Sequence, residues 1–284
     1  MEVKLTHYEF FWKSYDGLQL FAQEWKPKQK PIAAIALVHG LGEHSSRYIH
    51  VADFFNKSNI GMVSYDLRGH GKSEGKRGHI PSDESILFDM DLLLKETKKR
   101  YKRLPIFLYG HSMGGEFVLF YSIIRQSKIA GVIATAPSLG PKDPIPFPKY
   151  LLAKTMNAIY PSIQMDNGLD RTGLSHDKDV VMKYNHDPLV HGLISARLGL
   201  AIIENGKWIL EKANNLTIPL LLMVGEQERL VNKQAISNLA KRVSNVNFKI
   251  WPSLYHELHN EPEKKDVLNY MKSWISEIIA ATKS

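Results

Sequence analysis

The sequence predicts an α/β protein: a mostly parallel central sheet, helices on both of its faces, and a helical cap inserted late in the chain. Three observations carry this. Short apolar runs recur between helical stretches, the pattern of strands buried on both faces of a parallel sheet. The segment Gly110-His111-Ser112-Met113-Gly114 sits between one such run and an apolar-striped helix. The alternation of strand and helix then stops from 137 to 217, far too long for an ordinary loop.

Apolar stretches at 10–12 and 18–25 flank the turn Tyr15-Asp16-Gly17, so the chain opens with a hairpin at the sheet edge. Strands follow at 32–38, 61–65, 105–109, 131–136, 220–224 and 247–251. Helical patterns fall between them, at 48–57, 84–101, 115–125, 233–243 and 262–281. Lys95, Lys98, Lys99, Arg100, Lys102 and Arg103 end the second helix, where cations suit the helix dipole. The long interruption opens with Pro137, Pro141, Pro144, Pro146, Pro148 and Pro161 and then takes on helical periodicity. We expect 1–136 and 218–284 to form the core and 137–217 a cap lying over the strand ends. The sequence holds no internal repeat.

A chain of 284 residues with 44% hydrophobic and 23% charged residues is that of an ordinary soluble globular protein. No apolar stretch approaches the roughly 20 residues that span a bilayer. Met1 to His7 lack the basic-then-apolar order of a secretory signal, and there is no cysteine. A cytoplasmic setting is expected. The net charge of +8 reads either as a weak pull toward anionic membrane surfaces or as a solvated basic face. Nucleic acid is not expected as a partner, because no basic stripe is interleaved with aromatics.

The five-residue motif carries chemistry. Between a strand and a helix, G-x-S-x-G is a tight turn that needs small residues either side of its serine and presents the hydroxyl at the strand tip. An alcohol attacks an ester at neutral pH only with a base, and the base needs a third group to fix its tautomer. With a serine elbow on such a sheet, the acid follows the next-to-last strand and the histidine the last. Of twelve histidines, only His256 and His259 come after 247–251. His256 is nearer the strand end and is the expected base. The acid loop reads Gly225-Glu226-Gln227-Glu228-Arg229, with two glutamates and no aspartate. We take Glu228 as the acid, with Glu226 as its competitor. Two backbone donors should hold the developing oxyanion: Met113 N–H, and Leu41 N–H in His39-Gly40-Leu41-Gly42 after the strand at 32–38. Taken alone, His39-Gly40 would be a plain strand-ending turn.

The chain resembles the monoglyceride lipase and lysophospholipase branch of the α/β-hydrolase superfamily. The resemblance rests on His39-Gly40-Leu41-Gly42-Glu43-His44-Ser45 with Arg47-Tyr48, and on Tyr65-Asp66-Leu67-Arg68-Gly69-His70-Gly71-Lys72-Ser73 followed by Glu74-Gly75 and Arg77-Gly78. The serine motif, Asp187-Pro188-Leu189-Val190, Tyr255-His256 and Leu258-His259-Asn260-Glu261 complete it. It implies the α/β-hydrolase fold and cleavage of a monoacylglycerol, or a related single-chain acyl ester, to glycerol and fatty acid without metal or cofactor. It also implies that Ser112 is the nucleophile, that Leu41 and Met113 are the oxyanion donors, and that Glu43, Arg47, Tyr184 and His259 line the glycerol side. Read without the resemblance, Glu43 and Arg47 could be a local ion pair four residues apart, and Tyr184 could be cap packing. The family's acid loop normally carries aspartate. The extra methylene of glutamate carries the carboxylate about 1.5 Å further, so the loop must adjust. The same residues would serve a lysophospholipase or broad carboxylesterase, or a catalytically weak ligand-binding protein. An acyl corridor is expected among Tyr150, Leu151, Leu152, Met156, Ile159, Leu193, Leu198, Leu200 and Ile203. The mixed basic and apolar stretch 147–154 is where the cap would touch a membrane surface transiently.

Overall fold

A computed structural model describes residues 6–143 and 146–281. Pro144 of the proline-rich run, and all but Thr6 and His7 of the N-terminal stretch read for a signal, lie outside them.

The edge hairpin is β1 (Thr6–Lys13) and β2 (Gln19–Lys26), antiparallel, with β1 outermost. β1 is longer than its apolar residues suggest because all eight of its residues pair with β2. Then come β3 (Ala33–Val38), α1 (Ile49–Asn56), β4 (Ile60–Tyr65), α2 (Asp83–Arg100), β5 (Ile106–His111), α3 (Met113–Arg125) and β6 (Gly131–Thr135). The long segment holds α4 (Phe147–Ile159), β7 (Gln164–Asp166), α5 (Lys178–His186), β8 (Leu193–Ser195) and α6 (Ala196–Glu211). The chain returns to the sheet as β9 (Leu220–Gly225), α7 (Lys233–Ala240), β10 (Val246–Trp251) and α8 (Lys264–Ala281).

The eight-stranded sheet has the order β1-β2-β4-β3-β5-β6-β9-β10 and is parallel from β4 to β10. Successive side chains of a strand point to opposite faces, so a strand covered on both sides must be apolar throughout. β3 does this: Ala33, Ile35 and Leu37 enter one core, and Ala34, Ala36 and Val38 the other. α1 and α8 cover the first face; α2, α3, α6 and α7 cover the second. α2 starts at its Ser82 cap, carries Asp83 and Glu84 in its first turn, and ends on Lys98, Lys99 and Arg100, as the dipole favours. α3 begins two residues earlier than its apolar stripe, directly after Ser112.

Within the long segment the helices differ. α6 sends Leu198, Ala201 and Ile209 into the same core as α3, whereas α4 buries none of its residues and lies on α6. The loop after β4 is fixed by Asp66, which accepts from Ser45 N–H (2.8 Å) and Lys72 N–H (2.8 Å). Arg68 in the same loop is gripped by the buried Asp89 of α2 at 2.7 and 3.0 Å. The R-G-H-G motif is therefore scaffold for the loop beside β3's end.

Candidate active site

Ser112 joins β5 to α3 with φ +54° and ψ −119°, a conformation that costs on the order of 1–3 kcal/mol and persists only when its surroundings hold it. They do. Its N–H donates to Thr135 O on the neighbouring strand (2.9 Å), and its carbonyl accepts from Glu116 N–H (3.0 Å) and Ser138 N–H (3.1 Å). The flanking glycines explain themselves. A Cβ on Gly110 would lie 2.1 Å from Gly114 O, and one on Gly114 would lie 2.2 Å from Val38 O.

Among the acid candidates, the structure brings Glu228 to His256. Glu228 Oε2 lies 2.8 Å from His256 Nδ1, and both side chains are buried. Glu226 turns away, accepting Ser253 N–H at 3.0 Å. The longer side chain is accommodated by a fold-back: Glu228 Oε1 accepts the N–H groups of Leu230 (2.7 Å) and Val231 (3.2 Å), two and three residues on. Burial pulls the imidazole of His256 toward neutrality, but the Glu228 charge and hydrogen bond, with Glu257 and Glu43 behind, raise its pKa overall. Burial raises the Glu228 carboxyl, but His256 and the two amides lower it on balance. The pair therefore favours an imidazolium held by a carboxylate, the form the base takes once it accepts a proton.

Ser112, His256, Gly40, Leu41 and Met113 line one end of a cavity of about 370 Å³. Met113 is the first residue of α3, where a backbone N–H has no carbonyl of its own helix to reach. Gly42, at φ +75°, shapes the turn that carries Leu41; a Cβ there would lie 2.4 Å from His191 O. Much of the remaining wall is apolar, including Tyr150, Ala153, Met165, Ile194, Leu200 and Ile203, with Lys149, Asp166, Asn167 and Glu257 among its polar residues. Leu151, Leu152 and Ile159 of the expected corridor are instead exposed, because only the face of α4 bearing Lys149, Tyr150 and Ala153 meets the cavity. Leu198 belongs to the core.

The four residues expected on the glycerol side divide. Glu43 and Tyr184 reach the cavity wall; Arg47 and His259 do not. Arg47 lies beneath the Tyr184 ring, its guanidinium 4.7 Å from the ring centre. His259 is fully buried, stacked on Tyr48 at 4.6 Å and edge-on to His111 at 4.8 Å, with neither ring nitrogen hydrogen-bonded. Burial, with His111 and His50 beside it, pushes its pKa well below the ordinary imidazole value. It supports the histidine loop from behind. Two neighbours escaped the sequence reading. His111 packs its ring 4.7 Å from that of His256. Glu257, next to the base, is buried and holds Arg47 in a two-point ion pair (2.7 and 2.8 Å). Its only sequence signal was an acid directly after the histidine. Among the described residues, no group of histidine and acidic side chains is arranged to hold a metal ion.

A family model described as serine aminopeptidase, S33 matches residues 29–263. The monoacylglycerol lipase of Mycolicibacterium smegmatis is 33% identical over 276 residues, covering 96% of this chain and 98% of that protein. An uncharacterized abhydrolase domain-containing protein of Dictyostelium discoideum is 35% identical over 273 residues, of whose length the chain spans 29%. Among solved structures, the Paleococcus ferrophilus monoacylglycerol lipase superposes with a TM-score of 0.80 at 30% identity, covering 98% of this chain and 99% of that one. With its serine elbow, its eight-stranded sheet and a family match across most of its length, the chain belongs to the serine aminopeptidase S33 family of α/β-hydrolases.

Proposed function

We propose that this protein is a carboxylic ester hydrolase that cleaves monoacylglycerols to glycerol and fatty acid through an acyl-enzyme on Ser112. The observation that carries the reading is the 2.8 Å contact between Glu228 and His256, beside a largely apolar cavity that both His256 and Ser112 line. With Nδ1 engaged by Glu228, Nε2 of His256 takes the serine proton as Oγ attacks the ester carbonyl. The N–H groups of Leu41 and Met113 receive the oxyanion, each worth on the order of 3 kcal/mol in the transition state. Collapse expels the glycerol alkoxide, which takes the proton from His256. Water then attacks the acyl-serine with His256 again as base, releasing the fatty acid and restoring Ser112.

The apolar wall suits the acyl chain, and the polar end near Glu43 and Tyr184 suits the alcohol. The segment 137–217 serves as the cap. Its α4 presents Phe147 and Ile159, 73% and 76% exposed, with Leu151, Leu152 and Lys154, a surface suited to a membrane where such substrates partition. No helix among the described residues is long and apolar enough to cross a membrane.

The test is fatty-acid release from a mid-chain monoacylglycerol by the wild type and by Ser112→Ala. Release that vanishes with Ser112→Ala supports the reading. Release that survives, or a wild type inactive on this and on short esters, overturns it. Faster release from lysophosphatidylcholine would move the substrate to lysophospholipids with the same triad.

A further inference from the structure

Two carboxylates and one guanidinium are buried together beside the candidate triad. Glu43 Oε1 accepts from Gly40 N–H (2.6 Å) and from the Tyr48 hydroxyl (2.7 Å), while its Oε2 accepts from Arg47 Nη1. Arg47 reaches the other way with both terminal nitrogens, to Glu257 Oε1 at 2.7 Å and Oε2 at 2.8 Å. Asn260 Nδ2 donates to Glu257 Oε2 at 2.7 Å. Glu43 sits in the oxyanion turn and Glu257 follows the base directly. One guanidinium thus joins two segments 210 positions apart that must be in register for the reaction.

The composition of the cluster argues for more than packing. Every contact to Glu43 comes from a donor, so it is an acceptor-only carboxylate. Burying two anions against one cation is costly, and fold stability alone would be served as well by apolar side chains of similar volume. The excess negative charge lies next to the ring that must become imidazolium during the reaction, where fixed charge acts strongly out of reach of water. Tyr184 lies over the guanidinium, and Glu43, Tyr184 and Glu257 all reach the cavity wall while Arg47 stays behind them.

We infer that Glu257 is a positioning residue for the general base: through Arg47 and Glu43 it locks the His256 loop to the oxyanion turn and sets the field in which His256 is protonated. This rests on the triad proposed above. It gives Arg47 a task other than holding the alcohol. Consistent with it, Glu257 and Glu43 are among the groups that raise His256, after burial and Glu228, and the Glu257 carboxyl, which burial would raise, is held down at about 2 chiefly by Arg47.

The experiment compares wild type, Glu257→Gln and Arg47→Lys on two substrates: p-nitrophenyl butyrate, whose leaving group has no hydroxyls to bind, and a mid-chain monoacylglycerol. Rates are expressed per Ser112 titrated with a fluorophosphonate, so unfolded protein does not count. Glu257→Gln is expected to lower kcat on both substrates, on the order of 10- to 100-fold, as for a misplacement of about 1 Å. KM should stay within about twofold, and the acid limb of kcat/KM should move to lower pH, because a negative charge favouring imidazolium is gone. Arg47→Lys keeps the charge but not the two-point grip, so it should lose kcat with a smaller movement of the limb. If Glu257→Gln does not fold, a kcat loss in Arg47→Lys on p-nitrophenyl butyrate carries the same decision. Unchanged turnover of p-nitrophenyl butyrate with a raised KM for the monoacylglycerol overturns the inference and returns the cluster to alcohol binding. A Ser112→Ala control that still turns over p-nitrophenyl butyrate overturns the triad itself, a separate and visible failure.

Discussion

Glu228 reaches His256 Nδ1 with one carboxylate oxygen and its own loop's amides with the other, so a single side chain both orients the imidazole and shapes the turn it stands on. An aspartate at this position would be one methylene short of doing both.

The first prediction concerns that length. Glu228→Gln, which leaves the shape but removes the charge, should lower kcat on the order of 10⁴-fold, the scale seen when a triad acid becomes an amide. Glu228→Asp should fall between Gln and wild type, because the shorter arm cannot keep both sets of contacts. Glu226→Ala, whose carboxylate only accepts Ser253 N–H, should retain wild-type kcat. Steady-state rates on a monoacylglycerol decide. Loss at Glu226 with retention at Glu228 would reverse the assignment.

The second concerns pH. His256 must be neutral to accept the serine proton, and its pKa is raised above the ordinary imidazole value of 6.5 against the pull of burial. Activity should therefore fall with acidification at a midpoint above 6.5, not below it. Glu228→Gln should move the midpoint down. A kcat/KM profile that stays flat to well below this range would show that no such imidazole is used.

The third concerns stability. Arg68 is buried with Asp89, which holds it at 2.7 and 3.0 Å, while Asp16 adds a third contact at 2.9 Å. Removing Asp89 leaves the buried guanidinium only the partly exposed Asp16 and the Ser14 hydroxyl, so Asp89→Ala should cost about 3 kcal/mol by urea unfolding. Neither Arg68 nor Asp89 lines the cavity with Ser112, so kcat of the folded variant should change little.

The fourth concerns the outer face of α4. Leu151 and Leu152 are exposed and do not line the cavity. The double substitution Leu151→Glu, Leu152→Glu should reduce sedimentation with anionic vesicles and slow hydrolysis of monoacylglycerol held in them. Hydrolysis of soluble p-nitrophenyl butyrate should be unaffected. Equal loss on both substrates would assign these leucines to cap folding instead.

Much of this was legible in the sequence because buried parallel strands must be apolar end to end, and a serine elbow must carry glycines. Order along such a sheet points to Ser112 and His256, and Glu228 is preferred to Glu226 within one short loop. The path of that loop in space brings Glu228 to His256 and turns Glu226 toward Ser253 N–H. Arg47 could be paired with Glu43 at four residues' distance, but its stronger partner Glu257 is joined to it only by tertiary folding. Likewise, helical spacing marked α4 as amphipathic without giving its phase, so Tyr150 was correctly expected to line the cavity and Leu151 was not correctly expected to. His259 carried a polar side chain and an attractive position; its complete burial between two rings is a packing outcome that no local pattern announces.

The elbow's support comes from the sheet: Ser112 hangs from Thr135 on one neighbouring strand, and Gly114 rests against Val38 on the other. Neither of these two anchors lies in the segment 137–217, although Ser138 of that segment also donates its N–H to the Ser112 carbonyl and α6 packs into the core beside α3. α4 makes neither contact and buries none of its residues, yet gives Tyr150 and Ala153 to the cavity wall. Changing those two side chains would be expected to alter acyl preference while leaving the support of the serine turn in place.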